Sequence, residues 1–256
     1  SEDVRSSDLA SAAGEVPQCT AVRQLNGAST PHVIVKFSGN ENSGAVRRWA
    51  DLLVCEHLAL TCLGEMTGLP VAASRILADQ GRTFLEVERF DRHGDFGRSE
   101  ALTLANLDAA LLGSTTHNWP TLIERIATQL KIAAPGLQEA VNLIWWYGKL
   151  IANADMHTGN LSFQFTATPG ELPHLRAAPA YDMLPMLYAP LAGGEVPVRE
   201  FTPPMPMPRE RATWQTACEV ALSFWLRTSN DTRISEPFRA LAQANHFHLA
   251  NLQQRC

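Results

Sequence analysis

The stretch NADMHTGN at residues 153–160 places Asp155, His157 and Asn160 within six positions, directly after a Trp-rich apolar run. The pattern D-x-H-x-x-N separates a carboxylate from an amide by four residues. Phosphoryl transfer calls for such a pair. A carboxylate orients or deprotonates the acceptor hydroxyl, and an amide or carboxylate oxygen holds Mg²⁺ beside the phosphates. The plain alternative is a polar helix-to-strand loop with the aspartate as a turn residue.

A phosphoryl-transfer site needs further parts, and the sequence has a residue for each. Asp182, in APAYDMLP, lies 22 positions after Asn160 and would supply a second metal carboxylate. Lys36, in the β-branched run VIVKF, is placed to reach nucleotide phosphates. Glu56 follows Lys36 by 20 positions on a helical segment and is placed to hold it. A loop containing Gly14, SAAGEVPQ at residues 11–18, precedes the lysine run. Singly, Lys36 reads as a strand-end charge, Glu56 as a solvated helix face and Asp182 as a turn residue. Their order along the chain is what argues for one site.

The elements that would position these residues follow from hydrophobic periodicity. Residues 20–38 read as two strands around Asn26-Gly27. Residues 45–68 read as a helix, with Leu52, Leu53, Glu56, Leu60 and Leu63 at spacings of three and four and Gly68 as C-cap. ASRILAD and RTFLEVERF read as strands joined by Asp79-Gln80-Gly81. Residues 101–113, 119–131 and 136–152 read as helices, LSFQF (161–165) as a strand, and 185–208 as an irregular Pro- and Gly-rich segment. Helices at 209–227 and 235–254 close the chain. The prediction is an α+β chain of two lobes: a small β-rich lobe over residues 1–92 and a mainly helical lobe over 93–256, with the site between them.

The totals agree with a globular chain. Apolar residues make up 45% and charged residues 18% of 256 positions, enough to bury a core. A net charge of −5 argues against nucleic-acid binding as the main activity. Five cysteines without a C-x-x-C pair or a disulfide framework point to a reducing, cytoplasmic setting. Cys55 and Cys62 read as small core residues. No run of about 18 apolar residues suggests a membrane span. The opening SEDVRSSDLASAAGE has acids and no apolar region, so it does not read as a signal peptide; its abrupt start suggests a fragment. A metal hydrolase built on Asp155, His157 and Asp182 is disfavoured, because no second histidine recurs at ligand spacing.

The segments LEVERFDR (85–92), IANADMHTGNLSF (151–163) and APAYDMLP (178–185) closely resemble the HipA-like serine/threonine kinases of bacterial toxin–antitoxin systems. ERFDR is the discriminating segment, since D-x-H-x-x-N also occurs in aminoglycoside phosphotransferases and lipid kinases. The resemblance covers most of the chain. It points to the YjjJ branch, whose members carry a DNA-binding-like N-terminal region absent here. It implies a protein-kinase-like fold using ATP and Mg²⁺. Asp155 would be the catalytic base, Asn160 and Asp182 the Mg²⁺ ligands, and Lys36 the α/β-phosphate lysine with Glu56 as its partner. Ala13, Gly14, Glu15, Val16, Pro17 and Gln18 would form the phosphate loop, and the backbone of Glu88, Arg89 and Phe90 the hinge beside adenine. His157 would order its loop or touch phosphate. Ser11 would be the autophosphorylated serine, whose added charge would eject the loop.

The resemblance also implies a growth-inhibiting toxin whose protein substrate is a translation component such as an aminoacyl-tRNA synthetase. An antitoxin would be its partner, and DNA would be met only through that antitoxin or through the absent region. The sequence departs from the family at three places. Gly14-Glu15-Val16-Pro17-Gln18 stands where G-x-Q-P-K is usual, residue 159 is Gly where Lys is common, and Ala105-Asn106-Leu107 replaces an acidic stretch. Two phosphate-facing cations are thereby lost, which would weaken ATP binding or change the acceptor. A small-molecule phosphotransferase on the same fold and an inactive pseudokinase acting as a binding module are the alternatives.

Overall fold

The structure, a computed structural model, describes residues 16–24, 28–131, 133–166 and 173–255. Ser11, Ala13, Gly14, Glu15 and the Asn26-Gly27 turn lie outside the described residues. Strands β1 (Gln18–Val22) and β2 (His32–Phe37) pair antiparallel, with Gln18 opposite Lys36. Next in the sheet comes β4 (Arg82–Glu88), then β3 (Ser74–Asp79), giving the order β1-β2-β4-β3. The β3–β4 hairpin turns through Gln80 and Gly81, at φ 47° and 77°. Two left-handed residues are what a two-residue turn needs to follow the strand twist.

Helix α1 (Gly44–Thr67) crosses this sheet. Ser43 caps its start by accepting from the Val46 amide at 3.1 Å, and Gly68, at φ 71°, ends it in the left-handed region. Its apolar residues fall on two sides. Leu53 packs with Ala72, Leu85 and Val87 under the sheet. Leu52, Val54, Cys55, Leu58 and Leu63 join the main core.

That main core is helical: α2 (Leu104–Leu111), α3 (Trp119–Leu130), α4 (Leu137–Leu150), α5 (Arg211–Asn230) and α6 (Glu236–Gln253). Trp214, Trp225, Phe224 and Phe238 lie wholly buried between the last helices, and Trp225 donates to Leu150 O at 3.0 Å. Residues 185–208 are irregular apart from a short 3₁₀ turn at Met186–Tyr188 and the start of another at Pro208–Glu210, as expected of a Pro-rich run.

Of the shorter strands only the one at Ser162–Thr166 was expected, as LSFQF; the others were not. The pair β5 (Arg92–His93) and β6 (Gly97–Arg98) follows the first sheet. A second sheet joins β7 (Leu102–Thr103), β8 (Ser162–Thr166) and β9 (His174–Ala177) in that order. The helix expected from residue 101 therefore starts at Leu104. Leu102 and Thr103 are drawn into pairing with β8, and Thr103 then caps α2 through the Asn106 amide. No described helix is long and apolar enough to cross a membrane.

One polar contact clamps α6 onto α1. The buried Asp51 carboxylate accepts from the Ser235 amide at 2.7 Å and from its hydroxyl at 2.6 Å. Removing the acceptor takes two bonds to a charged group from the half-buried Ser235, a loss of about 1–3 kcal/mol. We expect Asp51→Ala to lower unfolding free energy by about that amount in urea denaturation, with the slope against urea unchanged.

Candidate active site

Between the first sheet and the helices lies a cleft of about 190 Å³. It brings together Lys36, Glu56, Asp155, His157, Asn160 and Asp182, with Val16 and Gln18 beside them and Trp49, Leu184 and Met186 as apolar wall. The Lys36 ammonium donates to both Glu56 oxygens at 2.8 Å and also to Asp182 Oδ1. Glu56 is 1% exposed, so it belongs to the interior and not to a solvated helix face. Burial, reinforced by the Asp182 carboxylate and opposed by Lys36, pushes the Glu56 carboxyl up to about 7. Burial alone would lower the Lys36 ammonium. Glu56 and Asp182 more than reverse this and hold it above its ordinary value, so Lys36 stays charged.

The loop of the quoted motif begins where α4 ends. The Asn153 amide donates to Gly148 O at 2.9 Å and Ala152 sits at φ 59°. This is the left-handed helix stop usually given to glycine. It turns Asn153 inward, where it is buried. Its Oδ1 accepts from the Asp155 amide at 3.0 Å, and its Nδ2 donates to Asp182 O at 3.3 Å. One side chain thus ties both aspartate loops together. Asn160 donates from Nδ2 to Asp155 O at 2.9 Å, which leaves Oδ1 without a hydrogen bond among the described residues. His157 Nδ1 accepts from the Gly159 amide at 3.0 Å, so a neutral ring carries its proton on Nε2, 4.0 Å from Asp155 Oδ1. A Cβ on Gly159 would stand 2.8 Å from His157 Cε1. Glycine at 159 is therefore what lets the ring lie against this amide.

Asp182 is held from three directions. Ala72 donates to Ala180 O and Ala180 to Pro70 O, both at 2.9 Å, fastening the segment to the turn after α1. Asp182 itself sits at φ 53°, a conformation that costs a non-glycine residue of order 1 kcal/mol and clusters at functional sites. Tyr181 stacks on Phe90 at 5.7 Å between ring centres and donates to Gly159 O at 2.9 Å. Its oxygen also meets Ser162 Oγ at 2.7 Å, with Ser162 as the donor there.

Glu88, Arg89 and Phe90 are not among the residues lining this cleft. The Glu88 amide donates to Ala73 O at 2.8 Å and the Arg89 amide to His32 O at 3.1 Å. ERFDR also forms an ionic knot. The Arg89 guanidinium forks onto Asp91 at 2.9 and 2.7 Å, and Arg92 adds a contact at 2.8 Å. Burial would raise the Asp91 carboxyl, but the two arginines hold it below its ordinary 3.8. Val16 and Gln18 reach the cleft, while Pro17 supports β2 by accepting from the Phe37 amide at 3.0 Å. Asn153, Tyr181 and Ser162 were not picked out by the sequence reading. Asn153 opens the motif, but its partners are backbone atoms and its role shows only with the fold in view.

The oxygen donors here suit a hard cation. Asn160 Oδ1 and the Asp182 carboxylate line one cleft, and Mg²⁺ takes one or two such ligands besides phosphate and water. Among the described residues no cluster of three or more His, Cys, Asp or Glu is set up to hold a metal alone.

With this geometry in view, the comparisons with known proteins agree. Residues 10–246 match the HipA-like C-terminal domain, and the chain belongs to that family. It is 36% identical over 234 residues to Toxin YjjJ of Escherichia coli K12, covering 91% of this chain and 51% of the relative. The chain thus spans about half the length of the curated relative it matches. Two solved structures share the fold. One is Shewanella oneidensis HipA in its complex with HipB and operator DNA, with TM-score 0.53 and 15% identity over 93% of this chain and 63% of the other. The second is the Helicobacter pylori proinflammatory kinase CtkA, with TM-score 0.54 and 11% identity over 96% and 93%. The fold is the kinase-like fold of these two, with a β-rich lobe on a helical one.

Two outcomes follow from the geometry. Asn153→Ala removes the acceptor of the Asp155 amide, so hydrogen exchange at that amide should speed up by about tenfold or more, as a lost bond of about 1.4 kcal/mol would give. Asp91 has a depressed folded-state pKa, so its contribution is present above 3.8 and fades as pH falls through the folded value. Asp91→Asn should therefore destabilise the protein at neutral pH, and the gap to wild type should close as pH falls below 3.8 in urea titrations.

Proposed function

We propose that the protein is an ATP- and Mg²⁺-dependent serine/threonine protein kinase of the HipA kind, with residues 1–92 and 93–256 as its two lobes. The observation that carries this reading is Lys36 bonded to both Glu56 and Asp182 in a cleft that also holds Asp155 and Asn160. Lys36 would neutralise nucleotide phosphates, and Glu56 would fix its position. Asn160 and Asp182 would hold Mg²⁺, which supplies further charge neutralisation when bound. The acceptor oxygen attacks the γ-phosphorus, the bond to the ADP oxygen breaks, and Asp155 takes the hydroxyl proton. His157 Nε2 lies near enough to Asp155 to steady its carboxylate.

The relative's description as a toxin, and the presence of HipB and operator DNA with Shewanella HipA, support a growth-arresting role held in check by an antitoxin. A translation component such as an aminoacyl-tRNA synthetase is the proposed substrate, the cytoplasm the proposed setting, and Ser11 the proposed site of self-inactivation. A second reading, an inactive binding module, is supported by Gly159 and Gln18, which leave the phosphate side of the cleft without two cations.

The test is incubation with Mg²⁺ and γ-labelled ATP, with mass spectrometry to locate the label. Wild type should transfer phosphate, and Asp155→Asn should be slower by about 10²–10⁴-fold, the usual worth of a positioned base. An ATP-induced rise in Tm without transfer would favour the binding module.

A further inference from the structure

A second groove, about 390 Å³, lies on the other side of Asp155. It shares Asp155 and His157 with the nucleotide cleft, and its remaining wall comes from Ala154 and Met156 of the same loop together with His117, Asn118, Trp145 and Lys149. Asp155 thus stands where two cavities meet, one holding the paired Lys36 and the other open to solvent. A hydroxyl that reaches Asp155 without displacing nucleotide has this groove as its approach.

The groove has a distinct chemistry. The Lys149 ammonium lies 4.6 Å from the centre of the Trp145 ring and makes no ion pair among the described residues. Trp145 in turn packs against the buried Trp119 at 5.6 Å, so the shelf under the ammonium is fixed. Lys149 projects from the last turn of α4, whose carbonyl end favours a cation, and the half-buried indole face desolvates it in part. Two imidazoles, His117 and His157, complete the rim, and among the described residues Asp155 is the only carboxylate that lines it. A groove with a held, unpaired cation beside a catalytic carboxylate suits a ligand carrying a hydroxyl and, close to it, an anion.

We propose that this groove is the acceptor site and that Lys149 on its Trp145 shelf selects a peptide with an acidic residue flanking the acceptor serine or threonine. The hydroxyl bonds Asp155 while the flanking carboxylate meets the Lys149 ammonium. This rests on the phosphoryl-transfer reading above and deepens it by naming the substrate class.

The experiment uses the full chain, Mg²⁺-ATP and serine peptides that scan Glu or Lys through each flanking position. Phosphate transfer is read alongside the ATP-induced rise in Tm, which reports the nucleotide cleft separately. Wild type should prefer one Glu-flanked series. Lys149→Met, which keeps the stem over the indole, should raise KM for that series about tenfold, the worth of one charge-assisted bond. Lys149→Glu should move the preference to the Lys-flanked series. A role in capping α4 alone would lower Tm in both variants and leave the preference where it was, and that result overturns the proposal. Equal transfer to both series, or transfer to no peptide while Asp155-dependent ATP turnover persists, overturns it too and leaves the kinase reading standing. Absence of any Asp155-dependent turnover would sink the kinase reading itself.

Discussion

A buried carboxylate has to be paired, and this structure is arranged around one that is. Glu56 sits in the interior and Lys36 reaches it from the neighbouring sheet. As a source of stability such a pair is poor, because removing two charges from water costs nearly all that their attraction returns. As a constraint it is strict. Taking away one partner of a buried pair costs about 3–5 kcal/mol, so β2 and α1 are held to their spacing. Asp182 is drawn to the same ammonium, and the two lobes are thereby joined at the place where the phosphate chemistry is proposed.

The other half of the site is governed by neutral hydrogen bonds. Asn153 serves both aspartate loops through backbone atoms, and Tyr181 links the ERFDR segment, the β8 sheet and the loop around Gly159. Beneath them α4 comes close. A Cβ on Gly148 would stand 2.5 Å from the Met156 sulfur and 3.3 Å from Met183 Cε, the two side chains that follow Asp155 and Asp182. The helix that presents Lys149 therefore also sets the height of both acidic residues. Their separation is a property of packing and not of the loops alone.

Much of this was legible in the sequence, for reasons that differ by element. The long helices and the four main strands announce themselves through periodicity, and Gly68 and Gly81 mark their ends. Strands of two to four residues such as β7 and β9 carry no period and exist only because a partner strand is beside them. Lys36, Glu56, Asp155, His157, Asn160 and Asp182 were readable from residue type and order, and the fold places all six in one cleft. Asn153 and Tyr181 were not, since a side chain that bonds backbone looks like any other polar residue until the chain is folded. The engagement of the Glu88 and Arg89 amides was hidden for the same reason.

Helix α1 has a consequence for control. It gives Leu53 to the sheet and most of its other buried residues to the helical core, so it is mortared into both lobes. Swinging it aside to break the Lys36–Glu56 pair would strip Leu52, Val54 and Leu63 from the interior at once, at roughly 1.5–3 kcal/mol for each side chain exposed. A molecule wired in this way has no inexpensive internal off-position at that helix. Any control of the proposed phosphoryl transfer has to act somewhere other than on this helix.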